Sequence, residues 1–263
     1  MNAYLALFSA QCKTWLQYRA SALAGAGTQV FWGFIRVMIF EAFYHSSTLT
    51  QPLSVEQIVT YIWLSQAMLG LLPWNSDSQI RDLIRSGNVV YELARPLDLY
   101  FFWYTRSVAR RAAPTLLRAI PIFVLAGLFF DLQAPASWQH ALAWLAATGG
   151  TVLLAGAITA LLSISLLWTL AGDGINYIMM AMVSLGSGLI VPLPLFPDWL
   201  RGLAEWLPFS GLADAPYRLY MGHIPLDQLG AVLFHQLAWT AVLVLVGRLL
   251  LGRFIRRLVV QGG

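Results

Sequence analysis

The sequence predicts an all-α integral membrane protein. Six transmembrane helices follow an N-terminal interfacial helix, with an amphipathic cytoplasmic element between spans two and three and an external re-entrant hairpin between spans five and six. Three observations carry this expectation. Of 263 residues, 59% are hydrophobic and 11% charged, far too apolar for an ordinary soluble domain. Runs of the roughly 20 apolar residues that cross a hydrocarbon core about 30 Å thick recur along the whole chain. With the N-terminus placed inside, twelve of the sixteen Lys and Arg residues fall on or at that side.

Residues 3–19 place Leu5, Phe8, Cys12 and Trp15/Leu16 at helical spacing, with Gln11, Lys13, Thr14 and Gln17 elsewhere. Residues 1–20 thus read either as a helix lying in the interface or as a slightly polar extension of the first span. Lys13 and Arg19 follow the apolar stretch Tyr4 to Phe8 instead of preceding it, which is not the order of a signal peptide. The single Cys12 has no partner for an internal disulfide or a metal site.

The six spans cover approximately 22–44, 55–74, 112–130, 141–168, 174–196 and 228–251. Their length and lack of strict alternation exclude the dyad pattern of an outer-membrane barrel. Lys13, Arg19, Arg81, Arg85, Arg95, Arg106, Arg110, Arg111, Arg248, Arg253, Arg256 and Arg257 mark the inner side, so both termini are cytoplasmic. The net charge of +4 is this topological signal and needs no nucleic acid to explain it.

The inner element, residues 75–98, is the most polar stretch. Ser76 followed by Gln79 forms a capping-box pattern, with Asp77 and Asp82 near the same helix start. Ile80, Leu83 and Ile84, then Tyr91 and Ala94, give an apolar face against Arg81, Asp82, Arg85 and Glu92. Gly87-Asn88 bends the chain and Arg95-Pro96 closes the unit. Such an element either rests on lipid or docks a soluble partner.

Outside, residues 196–227 carry a helix begun by Pro197, with an apolar stripe of Trp199, Leu200, Leu203, Trp206 and Leu207 and an Arg201–Glu205 pair. The segment is too short and polar to span. It either re-enters the membrane or lies in the interface behind a tryptophan belt. Pro192, Pro194 and Pro197 are placed to break the last turns of span five.

Catalytic constellations are absent. His45, His140, His223 and His235 are scattered, with no H-E-x-x-H and no carboxylates at ligand spacing, so no catalytic or metal site is expected. Gly186-Ser187-Gly188 lies in an apolar span and reads as small-residue helix packing. There is no phosphate-binding glycine loop, so any ATP is bound by another chain. Arg36 and Arg118 lie within spans, where each either lines a pathway, pairs internally or snorkels. Phe31, Trp32, Phe34, Phe40 and Phe43 on span one either stack on a ligand or pack.

Taken together, these features resemble the permease of an ATP-binding-cassette exporter of the drug-resistance and polysaccharide-export fold. RSGNVVYELARPLDLYFFWYTR is similar to the arginine-small-glycine to leucine-x-arginine-proline signature of the viologen exporter branch, and LPFSGLADAPYRLYMG resembles that branch's outer stretch. The resemblance spans essentially the whole chain and implies one permease domain over residues 1–263, in a bacterial inner membrane. It implies a half-transporter: a second, related but different permease completes the pathway, and two ATPase subunits carry the ATP and magnesium. Ser76 to Ser86 would be the coupling helix, with Ile80, Leu83 and Ile84 in a groove of the ATPase, Arg81 and Arg85 at its rim, and Gly87, Arg95 and Pro96 shaping the return. Pathway candidates are Arg36, Arg118 and Trp32. Pro197, Trp199, Trp206, Pro208 and Phe209 would form the outer gate. The alternative is a stand-alone six-span secondary carrier or scaffold without an ATPase.

Overall fold

Small side chains on one long helix set the centre of the fold. In a computed structural model, residues 3–16, 19–48, 50–94, 96–169 and 172–255 are described, and among them all regular structure is helical. In chain order the helices are α1 (Ala3–Leu16), α2 (Arg19–Ser46), α3 (Val55–Met68), α4 (Ser78–Arg85), α5 (Val89–Leu93) and α6 (Leu99–Phe129). They continue as α7 (Trp138–Thr169), α8 (Asp173–Gly186), α9 (Asp198–Trp206), α10 (Asp214–Tyr220) and α11 (Leu229–Ile255). On α7, Ala143, Ala147, Gly150, Ala155, Gly156, Ala157 and Ala160 are buried and let neighbouring backbones approach closely. α11 lies along α7, α1 along α6, and α2 against α3 and α6.

Among the described residues, three helices are long and apolar enough to cross a membrane: α6, α7, and α11 with the turn before it, Leu226–Ile255. α2 has 28 residues. α3 and α8 have only 14 each, about 21 Å at 1.5 Å per residue. α3 compensates by burial: residues 58–68 are all enclosed by the chain, and a 3-10 turn, Leu69–Leu71, extends it. It starts at a capping box in which Ser54 Oγ accepts the Gln57 N–H while the Gln57 side chain accepts the Ser54 N–H.

Several expected boundaries move. The third long helix begins at Leu99 and not near 112, because Asp98 caps it by accepting the Phe101 N–H at 3.0 Å. Arg106, Arg110 and Arg111 therefore sit on α6, not in a loop. Pro114 and Pro121 lie inside α6 without ending it. The fifth helix stops at Gly186, well before the prolines expected to break it. Gly188, at φ +79°, turns the chain there; Pro192 and Pro194 shape the irregular stretch and the 3-10 turn Leu193–Leu195 that follow.

Candidate functional site

Buried charge and open volume concentrate in three places: the element α4–α5, expected on the inner side, a cavity between α2 and α3, and the segment from Leu193 to Gln228, expected on the outer side.

The inner element is built on Asp77. Its carboxylate caps α4 by accepting the N–H of Gln79 at 2.9 Å and of Ile80 at 3.3 Å. The expected Ser76–Gln79 capping box does not form. Ser76 instead donates its N–H to Asn176 Oδ1 of α8 at 3.0 Å, and the neighbouring carboxylate takes the cap. Asp77 is almost wholly enclosed and pairs with Arg106 at 3.3 Å and Arg110 at 2.6 Å, both from α6. Its own N–H donates to Ser163 Oγ of α7 at 3.0 Å. Arg106 also reaches the Gln79 side chain, and Arg111 donates to the Ser107 carbonyl and to Thr159 Oγ1. Arg81 binds Ser76 Oγ at 3.1 Å and Asp173 of α8 at 3.5 Å. The start of α4 is thereby tied by charge and hydrogen bonds to α6, α7 and α8.

This arrangement corrects the expected docking face. Ile80 is fully buried and Ile84 nearly so, packed with Trp103, Tyr100 and Ile164 in the chain's own core. They hold α4 to the bundle and cannot also fill a partner's groove. Leu83 is half-buried, and Arg81 turns inward to Asp173. The surface left open is Asp82, Arg85, Ser86, Gly87, Asn88, Val90, Tyr91 and Pro96. Gly87 adopts φ +75° and makes the expected bend. Arg95 lies outside the described residues.

A cavity of about 640 Å³ is lined by α2, α3 with its 3-10 extension, Trp74, and residues 189–191 beyond the break in α8. Arg36 and Trp32 both line it. Arg36 donates to Ser65 Oγ at 3.0 Å and to the carbonyls of Leu189 and, at 3.3 Å, Ile190. It thus satisfies two carbonyls of the irregular stretch that follows α8. Arg118 is elsewhere: it packs over Gly25 of α2, where an added Cβ would lie 3.0 Å from its Nε. The two arginines are not brought together.

In the outer segment, Asp214 is the buried centre. It accepts from Tyr61 Oη of α3 at 3.1 Å and from the Leu193 N–H at 3.2 Å, and pairs with Arg218 at 3.2 Å. Arg218 also holds Glu205 of α9 at 2.8 Å. Glu205 is therefore not paired with Arg201, which instead binds Asp198 at 3.2 Å and the Phe196 carbonyl. Burial pushes the Asp214 carboxyl up to about 6, against the opposing pull of Arg218 and the hydrogen bonds from Leu193 and Tyr61.

The expected outer-gate residues divide. Pro208 and Phe209 are buried, with Phe209 against Gly186. Pro197, Trp199 and Trp206 face outward, although Trp206 stacks edge-on with Trp239 at 5.3 Å and its carbonyl accepts the Trp239 indole N–H at 3.0 Å. Gly186-Ser187-Gly188 does not lie inside a helix as expected: α8 ends at Gly186, and Gly188 makes the turn that follows, close against Tyr61 Oη and Asp214.

Asp77, Asp214, Tyr61, Ser163 and Asn176 were not singled out from sequence as site residues. The available signal for Asp77 was Arg106, Arg110 and Arg111 at helical spacing, which puts several cations near one helix face. Residues 30–262 match the profile of a family described as ABC-2 family transporter protein. No curated protein and no solved structure matches the chain.

Proposed function

The chain belongs to the ABC-2 transporter family, and from that premise we propose that it is the membrane half of an exporter, driven through α4–α5. As a member it is a permease component of an ABC transporter, a multi-pass membrane chain whose ATP hydrolysis lies in a separate ATPase subunit. In the proposed arrangement α2, α3, α6, α7, α8 and α11 make six crossings, with α1 in the interface and α4–α5 on the cytoplasmic side of an inner membrane. α3 and α8 are too short to cross alone; the turn at 69–71 and the segment after Gly186 complete their depth. Non-helical backbone at such depth is tolerated when buried in protein.

The observation that carries the mechanism is the Asp77 network. Two ATPase subunits, one beneath each of two related permeases, approach when ATP binds, because ATP favours their closed state. Contact with the open face around Arg85, Val90 and Tyr91, with the half-buried Leu83 at its edge, displaces α4. Arg106, Arg110, Ser163, Asn176 and Asp173 pass that displacement to α6, α7 and α8. The segment after α8 then moves as the outer gate, hinged at Gly188. Assignment to the viologen exporter branch, whose name suggests lipophilic cations, belongs to this proposal and rests on the inner-loop and outer-loop wording; no substrate is carried over with it.

Gentle solubilisation from the native membrane should bring an ABC ATPase with the chain. Arg85→Glu and Leu83→Asp should both leave the chain in the membrane but separate ATP hydrolysis from transport. Wild-type transport and ATPase assembly in both variants would remove the docking surface proposed here.

A further inference from the structure

The cavity at Arg36 contains one charged side chain. Its other lining residues are Thr28, Gln29, Gln66 and apolar groups including Trp32, Phe40 and Trp74. Among the described residues, the guanidinium has neutral acceptors only: one hydroxyl and two carbonyls. Those contacts occupy one Nη1 hydrogen and both Nη2 hydrogens. Of the five N–H groups of an arginine, Nε–H and a second Nη1–H stay unassigned. A cation in apolar surroundings without a carboxylate favours a ligand of opposite charge and repels one of like charge.

The inner end of the cavity points the same way. Trp74 lines both the cavity and a smaller polar pocket of about 210 Å³ that includes Asp77, Ser107, Arg110, Arg111 and Thr159. A third pocket, of about 420 Å³, shares Asn75, Ser76 and Arg110 with it and adds Arg81 and Asp173. Across these two polar pockets three arginines, Arg81, Arg110 and Arg111, stand against two aspartates, Asp77 and Asp173. The buried Ser107 hydroxyl and Arg111 Nε have no hydrogen-bond partner among the described residues. Positive charge is in surplus in these two pockets, the nearer of which shares the Trp74 side chain with the apolar cavity.

We propose that the ligand of this chain is an amphiphile with an anionic headgroup. Its apolar part lies along Trp32, Phe40 and Trp74, and its head is attracted by Arg110 and Arg111 at the inner end or by Arg36 deeper in. The cavity volume fits a single drug-sized or single-chain amphiphile. The aromatic walls alone would suit a lipophilic cation by stacking, but a lone guanidinium among them opposes one. Anionic cargo thus departs from the lipophilic cations that the viologen name suggests. Treating the amphiphile as cargo rests on the permease reading; its binding does not.

The test is native mass spectrometry of the full chain in neutral detergent, with decyl phosphate, decyltrimethylammonium and decyl maltoside added in turn. Decyl phosphate should bind one to one, about tenfold more tightly than either of the others. Arg36→Gln should cut that preference about fivefold or more, and Arg36→Lys should retain most of it. Arg111→Gln, which leaves the Leu189 and Ile190 carbonyls capped, should also lower it. Equal or tighter binding of decyltrimethylammonium overturns the proposal. So does an unchanged preference in both glutamine variants when each elutes as a single homogeneous species. A membrane phospholipid at the site would appear as an anionic adduct before any probe is added and compete with decyl phosphate; a transported cargo leaves the site open until the probe arrives. Either source satisfies the anionic chemistry. Failure of the charge preference with an ATPase still co-purifying overturns this inference alone, whereas binding without any ATPase leaves it standing and removes the driven-permease reading.

Discussion

Two buried aspartates anchor two regions of this chain, the α4–α5 element and the segment around α10, and they do so differently. Asp77 and Asp214 have equally hidden side chains, each about 1% exposed. Asp77 faces two guanidiniums from another helix, α6, and caps a helix outside the bundle. Asp214 faces one guanidinium from its own helix and is otherwise held by a tyrosine hydroxyl and a backbone N–H. The inner anchor is a junction between elements joined by charge. The outer anchor is a local clasp joined mostly by neutral hydrogen bonds, and its arginine keeps a second carboxylate, Glu205. The junction ties four helices together; the clasp fixes the shape of one segment.

Breaking the junction should therefore cost most. Asp77→Asn leaves Arg106 and Arg110 without their carboxylate, and removing one partner of a buried pair costs about 3–5 kcal/mol. A large drop in thermal stability is expected, together with loss of coupling in any folded fraction. Asp214→Asn should cost less, about 1–2 kcal/mol, because Arg218 retains Glu205 and the asparagine oxygen still accepts from Leu193 or Tyr61. Equal losses in the two variants would erase the distinction drawn between them. Tyr61→Phe, which removes one donor to Asp214, is expected to cost about 1 kcal/mol in the same thermal assay.

The smallest effect is one of pH. Because burial raises the Asp214 carboxyl from 3.8 to about 6, its protonated form is the one the fold favours. The resulting stability is complete below about 4 and is lost as pH rises through about 6. Melting of the wild type should shift between about pH 5 and about pH 7 by more than that of Asp214→Asn. Identical shifts would show that the carboxyl does not titrate in that window.

The helices were legible where apolar length alone decides them, as in α7 and α11. Boundaries were less legible because polar partners from distant positions set them. Asp98 starts α6 early, and Asn176, 100 positions away, takes the Ser76 N–H that the capping pattern required. SVEQ at 54–57 and SDSQ at 76–79 have the same capping wording; only the first forms the box. For α4 the amphipathic pattern was right and its direction was not. A helix with one apolar stripe can turn it to its own bundle or to a partner, and the stripe carries no record of which. The Asp214 clasp was not legible, since it joins α3, the turn at Leu193 and α10 across long loops of sequence.

Gly188 has a final consequence. Its positive φ and its contacts with Tyr61 Oη and the Asp214 carboxylate leave room for no side chain at all. The turn that ends α8 is thus genetically brittle. A saturation library across residues 173–228, sorted for chain that reaches the membrane folded, should show near-complete dropout at this codon while exposed neighbours such as Ile190 and Trp199 vary freely, so the point where the outer segment begins could be mapped by tolerance alone.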